Sequence, residues 1–310
     1  MKIAFVFPGQ GSQSVGMLDA WSGHAVVNDT LAQASDALGQ DLAALIASGP
    51  ADELNLTTNT QPAMLTAAVA IYRAWIDAGG TEPLLVAGHS LGEYSALTAA
   101  RALTLEDAVR TVRIRADAMQ HAVPVGSGGM AAILGLEDDL VRSLCAQAAQ
   151  GEVVEAVNFN APAQVVIAGH KAAVDRACML ARQAGAKRAL ELAVSAPFHS
   201  SLLRPASEVL QAALANLPLA SPGISLINNV DVAIVDDPAA IKDALVRQAW
   251  HAVRWVETIQ SMKSQGVTHV VECGPGKVLN GLTKRIDRDL VGLAITDPAS
   301  LQLALETLQG

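Results

Sequence analysis

A glycine-flanked serine, Ser90, stands between a strand-like and a helix-like segment, and this order restricts the chain to few folds. The apolar residues 84–87 precede the sequence Gly-His-Ser-Leu-Gly at 88–92, and residues 93–100 have helical character. A strand, a GxSxG turn and a helix in this order form a nucleophile elbow, which places a serine hydroxyl at the end of a sheet. The pentapeptide alone also occurs by chance in helices, so its flanks make Ser90 the candidate nucleophile.

The candidate base is His199. A serine hydroxyl reacts when a base takes its proton, and histidine suits this task near neutral pH. Among seven histidines, His89 is a poor base because consecutive strand side chains point to opposite faces. His199 follows a predicted strand at the junction of two predicted domains, a favoured place for pockets, and a solvated loop histidine is the alternative. The acids Asp175 and Glu191 fall inside a predicted helix and strand, which argues against an ordinary esterase triad.

Arg115 is the third candidate for a functional residue. It lies on the helix predicted to begin behind Thr104, at the edge of an apolar stripe that includes Ala108, Val112 and Met119. A guanidinium against apolar surface favours an anionic partner, and its fork matches a carboxylate at two points. That partner is either a ligand or an internal acid in a structural ion pair.

The order of predicted elements indicates an α/β protein of two domains. Residues 1–124 and 197–310 alternate buried strands with helices, which indicates a large α/β-hydrolase-like domain with a parallel sheet and a nucleophile elbow. The segment 125–196 has strand–helix–strand–strand–helix–strand order, typical of a small inserted ferredoxin-like α+β domain. A chain of 310 residues exceeds the usual single core, which agrees with this division.

Composition narrows the classes of function. The net charge of −9 argues against nucleic acid as a partner. Three cysteines without CxxC spacing indicate neither a disulfide framework nor a metal site. No apolar run reaches the length of a membrane span, and the run at 3–7 is too short for a signal peptide. The glycine turns at 9–11 and 274–276 lack the further residues of phosphate-binding loops. We therefore expect a cytoplasmic protein that needs no membrane and binds no metal or cofactor.

Six segments together closely resemble the malonyl-CoA:acyl carrier protein transacylase family. They occur in the family's order and span almost the whole chain, so jointly they are far more specific than the GxSxG motif. The segments are Phe-Pro-Gly-Gln-Gly-Ser-Gln at 7–13, Gly-His-Ser-Leu-Gly-Glu at 88–93, Arg115 with Met119-Gln120, Asn-Phe-Asn-Ala-Pro-Ala-Gln at 158–164, Pro-Phe-His-Ser at 197–200 and Glu-Cys-Gly-Pro-Gly-Lys-Val-Leu at 272–279.

The resemblance implies an acyl transfer in two halves, as in fatty-acid biosynthesis. Ser90 would attack the malonyl thioester of coenzyme A, and the phosphopantetheine thiol of acyl carrier protein would then take the malonyl group. His199 would act as base and then as acid. Gln248 aligns with the family residue whose backbone carbonyl orients this histidine, which would explain the missing acid. Members of this family are often monomers, so the resemblance also implies a monomer.

The same resemblance implies roles for five binding residues. The backbone N–H groups of Gln10 and Leu91 would form the oxyanion hole, and Leu91 also stands at a predicted helix N-terminus that favours negative charge. Arg115 would pair with the free malonyl carboxylate. Asn160 aligns with a position near the substrate. Phe198 would crowd the α-carbon and disfavour methylmalonyl groups.

The chain departs from the family pattern after Gln248. It has Ala-Trp-His-Ala-Val-Arg-Trp at 249–255 where the family usually has Tyr-Asn-Pro-Val-Arg-Trp. This departure concerns the surroundings of the Gln248 carbonyl.

Four basic residues after the Gly-Pro-Gly turn form either a docking surface for the acidic carrier protein or a solvated helix face; they are Lys277, Lys284, Arg285 and Arg288.

Other functions remain open at this point. A free-standing acyltransferase that serves a polyketide synthase would have the same residues. A serine hydrolase acting on thioesters or esters needs only that water reach the acyl-serine, and the Arg115 and Asn160 matches argue against it. A non-catalytic module that binds carrier protein would not need Ser90, His199 and Gln10.

Overall fold

Residues 1–309, which the computed structural model describes, contain nine strands in two sheets. The strands are β1 Ile3–Phe7, β2 Leu85–Gly88, β3 Gly128–Leu134, β4 Val154–Ala161, β5 Gln164–His170, β6 Arg188–Glu191, β7 Ser225–Leu226, β8 His269–Cys273 and β9 Val291–Ile295. One sheet is parallel throughout, with the order β7-β2-β1-β8-β9. The other is antiparallel throughout, with the order β4-β5-β3-β6.

Thirteen α-helices and two short 3-10 turns complete the described part of the chain. The helices are α1 Ala25–Leu38, α2 Leu42–Ser48, α3 Ala51–Leu54, α4 Thr57–Asp77, α5 Gly92–Ala99, α6 Leu105–His121, α7 Asp138–Ala149, α8 Lys171–Gln183, α9 Arg204–Ala215, α10 Pro238–Gln248, α11 Trp255–Ser264, α12 Val278–Ile286 and α13 Pro298–Gln309. Within residues 1–309, no helix combines the length and the apolar character that crossing a bilayer requires.

The parallel sheet is covered on both faces, as its continuous apolar strands predict. On one face, Phe5 of β1 packs against the rings of Tyr72 and Trp75 from α4, with ring centroids 5.6 and 5.4 Å apart. On the other face, Ala4 and Val6 belong to an apolar cluster with α11 and α12. The central position of β1 brings the loop after Phe7 next to the turn after Gly88, because these two residues are paired in register.

The second sheet carries α7 and α8 on one face, where they form a core with Phe159 and Val165. Its strand and helix order is the one that the sequence predicts for this segment. The sheet joins the rest of the molecule through β4, since the Val253 N–H donates to the Val157 carbonyl and the Phe159 N–H donates to the Val253 carbonyl. The chain that follows β6 leads directly to His199.

Several predicted boundaries are wrong for local reasons. The residue pattern over 29–47 predicts one helix, whereas the structure has two, because Gly39 adopts a left-handed conformation with φ of 62° and ends α1. The pattern over 187–194 predicts a strand, but only β6 forms there. The pattern over 153–159 also predicts a strand, and this strand, β4, continues to residue 161. Arg288 lies beyond α12, which ends at Ile286, so it does not share the helix of Lys284 and Arg285.

Helix caps were predicted more accurately. The Thr104 hydroxyl accepts a hydrogen bond from the Asp107 N–H at 3.1 Å and thereby caps α6. The Asp237 carboxylate does the same for α10, accepting from the Ala240 N–H at 2.8 Å. Such caps satisfy backbone donors that a helix leaves free at its start. They fix where α6 and α10 begin, and these two helices carry Arg115 and Gln248.

Candidate active site

Ser90 lies on a strained turn between β2 and α5. It has a φ of 53°, in the left-handed region that side chains other than glycine rarely adopt. A Cβ atom added to Gly88 would lie 1.8 Å from the backbone carbon of Gly92, and one added to Gly92 would lie 2.1 Å from the Phe7 carbonyl oxygen. Glycine is therefore required on both sides of the serine, which is the strand–turn–helix geometry of a nucleophile elbow.

His199 contacts the Ser90 hydroxyl directly. Its Nε2 atom lies 2.7 Å from Ser90 Oγ, and its Nδ1 atom lies 2.8 Å from the carbonyl oxygen of Gln248. The carbonyl can only accept, so Nδ1 carries the proton and Nε2 is free to receive the serine proton. Burial, and next the positive charge of Arg115, lower the pKa of His199 to about 3. The imidazole is therefore a neutral base at physiological pH.

Arg115 lies beside the same hydroxyl, with only 2 % of its surface exposed. Its Nη2 atom donates to Ser90 Oγ at 3.0 Å and to Gln248 Oε1 at 2.9 Å, and its Nη1 atom donates to Gln61 Oε1 at 2.8 Å. All three acceptors are uncharged, and within residues 1–309 no carboxylate lies at salt-bridge distance. The Nε–H has no acceptor in that part of the chain. The buried guanidinium thus has a free donor and no direct counter-ion next to the nucleophile.

Two backbone N–H groups at or beside the elbow have no acceptor among residues 1–309. Among residues 1–309, neither the Gln10 N–H nor the Leu91 N–H donates a hydrogen bond to a protein group. The loop that carries Gln10 lies against the elbow, since a Cβ atom added to Gly9 would lie 2.7 Å from the His89 carbonyl oxygen. Leu91 is the residue immediately before α5. Free N–H groups at such places can stabilise a developing oxyanion.

Asn160 and Phe198 lie close to these groups. The Asn160 Oδ1 atom, on β4, lies 2.8 Å from Nε2 of His89, so Asn160 connects the antiparallel sheet to the residue before the nucleophile. Phe198 is half-buried and packs against the cluster of Met119 on one side and that of Met130 on the other. The antiparallel sheet therefore forms one wall beside the nucleophile.

Three buried polar residues of the site were not predicted from the sequence. Glu93, Asn229 and Gln61 are each at most 1 % exposed, and all three bond to the elbow or to its hydrogen-bond partners. Only Glu93 carries a usable signal, as the lone charged residue of a largely apolar segment, whereas Gln61 and Asn229 stand next to other polar residues in the sequence. Burial of such groups without partners is costly, and their presence indicates a network.

The fold and the site define a class of enzyme. A serine on an elbow at the end of a parallel sheet, with a neutral histidine on its hydroxyl, is the arrangement of enzymes that form a covalent acyl-serine. An acyl transferase domain model matches residues 4–289. The malonyl CoA-acyl carrier protein transacylase of Salmonella typhimurium is 53 % identical over 305 residues, covering 98 % of this chain and 99 % of that protein.

Solved structures agree with this comparison. The crystal structure of the acyl-carrier-protein S-malonyltransferase of Burkholderia pseudomallei matches with a TM-score of 0.97 and 68 % identity, covering 99 % of this chain and all of that one. A malonyl-transacylase in complex with a type II polyketide synthase acyl-carrier protein matches with a TM-score of 0.98 and 50 % identity, covering 99 % and 100 %. The chain belongs to the acyl transferase family and, within it, to the malonyl CoA-acyl carrier protein transacylases.

Proposed function

We propose that this protein moves the malonyl group of malonyl-CoA to the phosphopantetheine thiol of acyl carrier protein through a malonyl-serine ester, in fatty-acid biosynthesis. The observation that carries the proposal is Arg115 Nη2, 3.0 Å from Ser90 Oγ, together with its unpartnered Nε–H. An acyl group with a free carboxylate, esterified to Ser90, would offer that N–H an acceptor. The chain's relatives are transacylases by name, and these contacts give the reason for a malonyl group.

In the first half-reaction, Ser90 Oγ bonds to the thioester carbon while His199 Nε2 takes the hydroxyl proton. Negative charge then forms on the former carbonyl oxygen, where the N–H groups of Gln10 and Leu91 would donate to it. Loss of one such donor costs about 3 kcal/mol in comparable enzymes. The carbon–sulfur bond breaks, coenzyme A leaves as a thiol with the proton from His199, and the malonyl-serine ester remains.

The second half-reaction reverses these steps with a different thiol. The phosphopantetheine thiol of the carrier protein gives its proton to His199 and attacks the ester carbonyl. The carbon–oxygen bond to Ser90 breaks, and His199 returns the proton to the serine. Ser90 and His199 supply nucleophile and base, and the backbone N–H groups of Gln10 and Leu91 supply charge stabilisation, so we propose that the transfer uses no resident cofactor or metal.

The remaining features of the chain fit this proposal. The sheet order β4-β5-β3-β6 supports a ferredoxin-like domain at 125–196, inserted in an α/β-hydrolase-like domain made of 1–124 and 197–310. The three buried cysteines are free thiols, in keeping with the reducing cytoplasm as the site of action. We propose acyl carrier protein and a coenzyme A thioester as partners, no role for membrane or nucleic acid, and a monomer as the active form.

The test is the mass of the intact protein after brief mixing with malonyl-CoA, acetyl-CoA or methylmalonyl-CoA, with Ser90→Ala as control. We expect a malonyl adduct that requires Ser90 and is discharged by holo acyl carrier protein. An adduct that water alone removes as fast would favour the thioester hydrolase instead. Discharge by a polyketide carrier protein but not by a fatty-acid carrier would assign the enzyme to polyketide synthesis.

A further inference from the structure

Asn229 holds the two peptide groups that lead into the nucleophile. Its side-chain Oδ1 accepts from the Ser90 N–H at 2.7 Å, and its Nδ2 donates to the Gly88 carbonyl at 2.7 Å. Asn229 has no exposed surface. It follows β7, which pairs with β2, so the carboxyl ends of two neighbouring parallel strands bring it to the elbow. One amide thus fixes the two peptide groups on either side of His89, immediately before the left-handed turn at Ser90.

Glu93 holds Asn229 in place. Its Oε2 atom accepts from the backbone N–H of Asn229 at 3.0 Å and from the side-chain Nε2 of Gln248 at 2.9 Å. Only 1 % of Glu93 is exposed, and no ion pair involves it within residues 1–309. A buried carboxylate is costly unless donors satisfy it. Here those donors come from the two residues that contact the backbone of Ser90.

Gln248 links Glu93 to the candidate oxyanion donor. Its Nε2 also donates to the Ser90 carbonyl at 3.0 Å. That carbonyl and the Leu91 N–H belong to one planar trans peptide, so they point in opposite directions. Because Gln248 holds the Ser90 carbonyl toward its own side chain, the Leu91 N–H points away from Gln248. The backbone carbonyl of Gln248 meanwhile orients His199.

We propose that Glu93 and Asn229 are positioning residues for acyl transfer: they set the Ser90 turn and, through Gln248, the direction of the Leu91 N–H. The inference rests on the function proposed above. Neither residue touches the thioester, so both act on the rate of acylation and not on the affinity for malonyl-CoA. Glu93 reaches Arg115 only through the Gln248 amide, and Arg115 keeps its bonds to Gln61 and Ser90. Changes at Glu93 and Asn229 should therefore affect malonyl-CoA and acetyl-CoA by the same factor.

The experiment measures the acylation rate constant by rapid quench and intact mass for Asn229→Ala, Glu93→Ala and Glu93→Gln. We expect losses of about 100-fold for the two alanine variants, the size seen when an oxyanion donor is lost. Glu93→Gln should recover most of the Glu93→Ala loss, since the glutamine oxygen can accept from both N–H groups. Dissociation constants for malonyl-CoA, measured with each change added to Ser90→Ala, should stay within about threefold of those of Ser90→Ala alone.

Asn228 provides a matched control. It is the adjacent asparagine, is equally buried, and bonds through Oδ1 to the Asp231 N–H, away from the elbow. Asn228→Ala should therefore acylate at the wild-type rate. Wild-type rates in both alanine variants, or dissociation constants that weaken as much as the rates fall, would overturn the positioning role. If Asn229→Ala does not fold, the comparison of Glu93→Ala with Glu93→Gln alone tests the positioning role. A wild-type protein that forms no malonyl adduct would refute the proposed function instead.

Discussion

The carbonyl oxygen of Gln248 lies 2.8 Å from Nδ1 of His199, where many serine enzymes have a carboxylate. A carbonyl fixes the same tautomer and ring orientation, but it brings no negative charge to stabilise the imidazolium. Burial and the nearby Arg115 therefore act on the histidine without an opposing anion in contact, and the pKa of His199 falls to about 3. Trp250 and His251, which depart from the family pattern, leave this contact in place.

The low pKa of His199 predicts a flat pH profile. The neutral form that accepts the serine proton persists until the pH falls toward 3, so the acylation rate constant should not fall between pH 8 and 5. An ordinary histidine would cause a tenfold loss per pH unit below about 6.5. Rapid-quench acylation by malonyl-CoA across this range is the measurement.

Glu93 supplies the control for that profile. Burial raises the pKa of its carboxyl to about 7, so a change in rate near pH 7 could originate there. Such a change should vanish in Glu93→Gln. A loss near pH 6.5 that persists in Glu93→Gln would show that His199 titrates normally and would contradict the prediction.

The burial of Glu272 predicts a pH dependence of stability. It is fully buried on β8, its Oε2 accepts from the Asn280 N–H at 2.8 Å, and burial raises its pKa from 4.5 to about 7. The folded state binds this proton more tightly than the unfolded state, so stability is lost as the pH rises from 4.5 to 7. Relative to wild type, Glu272→Gln should gain about 3 kcal/mol of unfolding free energy over that range. Urea titrations at both pH values test this, and parallel changes in the two proteins would contradict it.

The position of Arg115 predicts that the enzyme prefers malonyl groups to acetyl groups. In Arg115→Ala the acylation rate with malonyl-CoA should fall at least about 100-fold, because a buried carboxylate loses its charged partner. The rate with acetyl-CoA should change far less. Arg115→Lys keeps the charge without the planar fork and should recover only part of the malonyl rate. Equal losses for both substrates in competition assays would remove Arg115 from this role.

How much of the structure can be predicted from the sequence depends on how far apart in the chain the interacting residues lie. Periodicity and capping act over a few residues, so the parallel sheet, the α6 cap at Thr104 and the order of the inserted elements were predicted. Edge strand β9 was not, because Val291 is exposed and most of its neighbours are half-buried, which weakens the apolar pattern.

The hydrogen-bond network of the site lies beyond such reasoning. Asn229 and Glu93 are 136 residues apart, and only the adjacency of β7 and β2 brings them together. The motifs supplied Ser90, His199 and Arg115 as candidates, whereas the contacts that hold them required the fold. The free Nε–H of Arg115 is likewise visible only once every neighbouring acceptor has been located.

The position of Phe198 predicts that the enzyme discriminates against acyl groups with a methyl on the α-carbon, such as methylmalonyl. It is half-buried between the Met119 and Met130 clusters, next to the base His199. Phe198→Ser should open this wall and raise methylmalonyl relative to malonyl acylation by 10-fold or more, since one methyl is worth about 1–3 kcal/mol in such pockets. Competition between the two thioesters, read by intact mass, is the measurement. An unchanged ratio would show that another residue excludes the methyl group.

Lys284 predicts where the acidic carrier protein docks. Lys284 and Arg285 lie in the last turn of α12, and Arg285 is held by hydrogen bonds to Gln164 and the Pro162 carbonyl. A cavity of about 340 Å³ adjoins Arg285 and is also lined by Lys187 and Arg188. Arg285 thus meets Lys187 and Arg188 in one basic patch, and Lys284 precedes Arg285 on α12. A patch of this sign would attract an acidic partner and steer its approach.

Charge reversal at Lys284 should therefore raise KM for acyl carrier protein several-fold and leave KM for malonyl-CoA unchanged. Arg285→Glu should do the same, with an added effect on the Gln164 contact. The effect should shrink as salt rises, because exposed charges are screened beyond about 10 Å at 0.1 M. Lys242→Glu, on α10, makes the same change in net charge and should leave both KM values at wild type. Equal shifts in the two KM values at Lys284, or an equal response at Lys242, would place docking elsewhere.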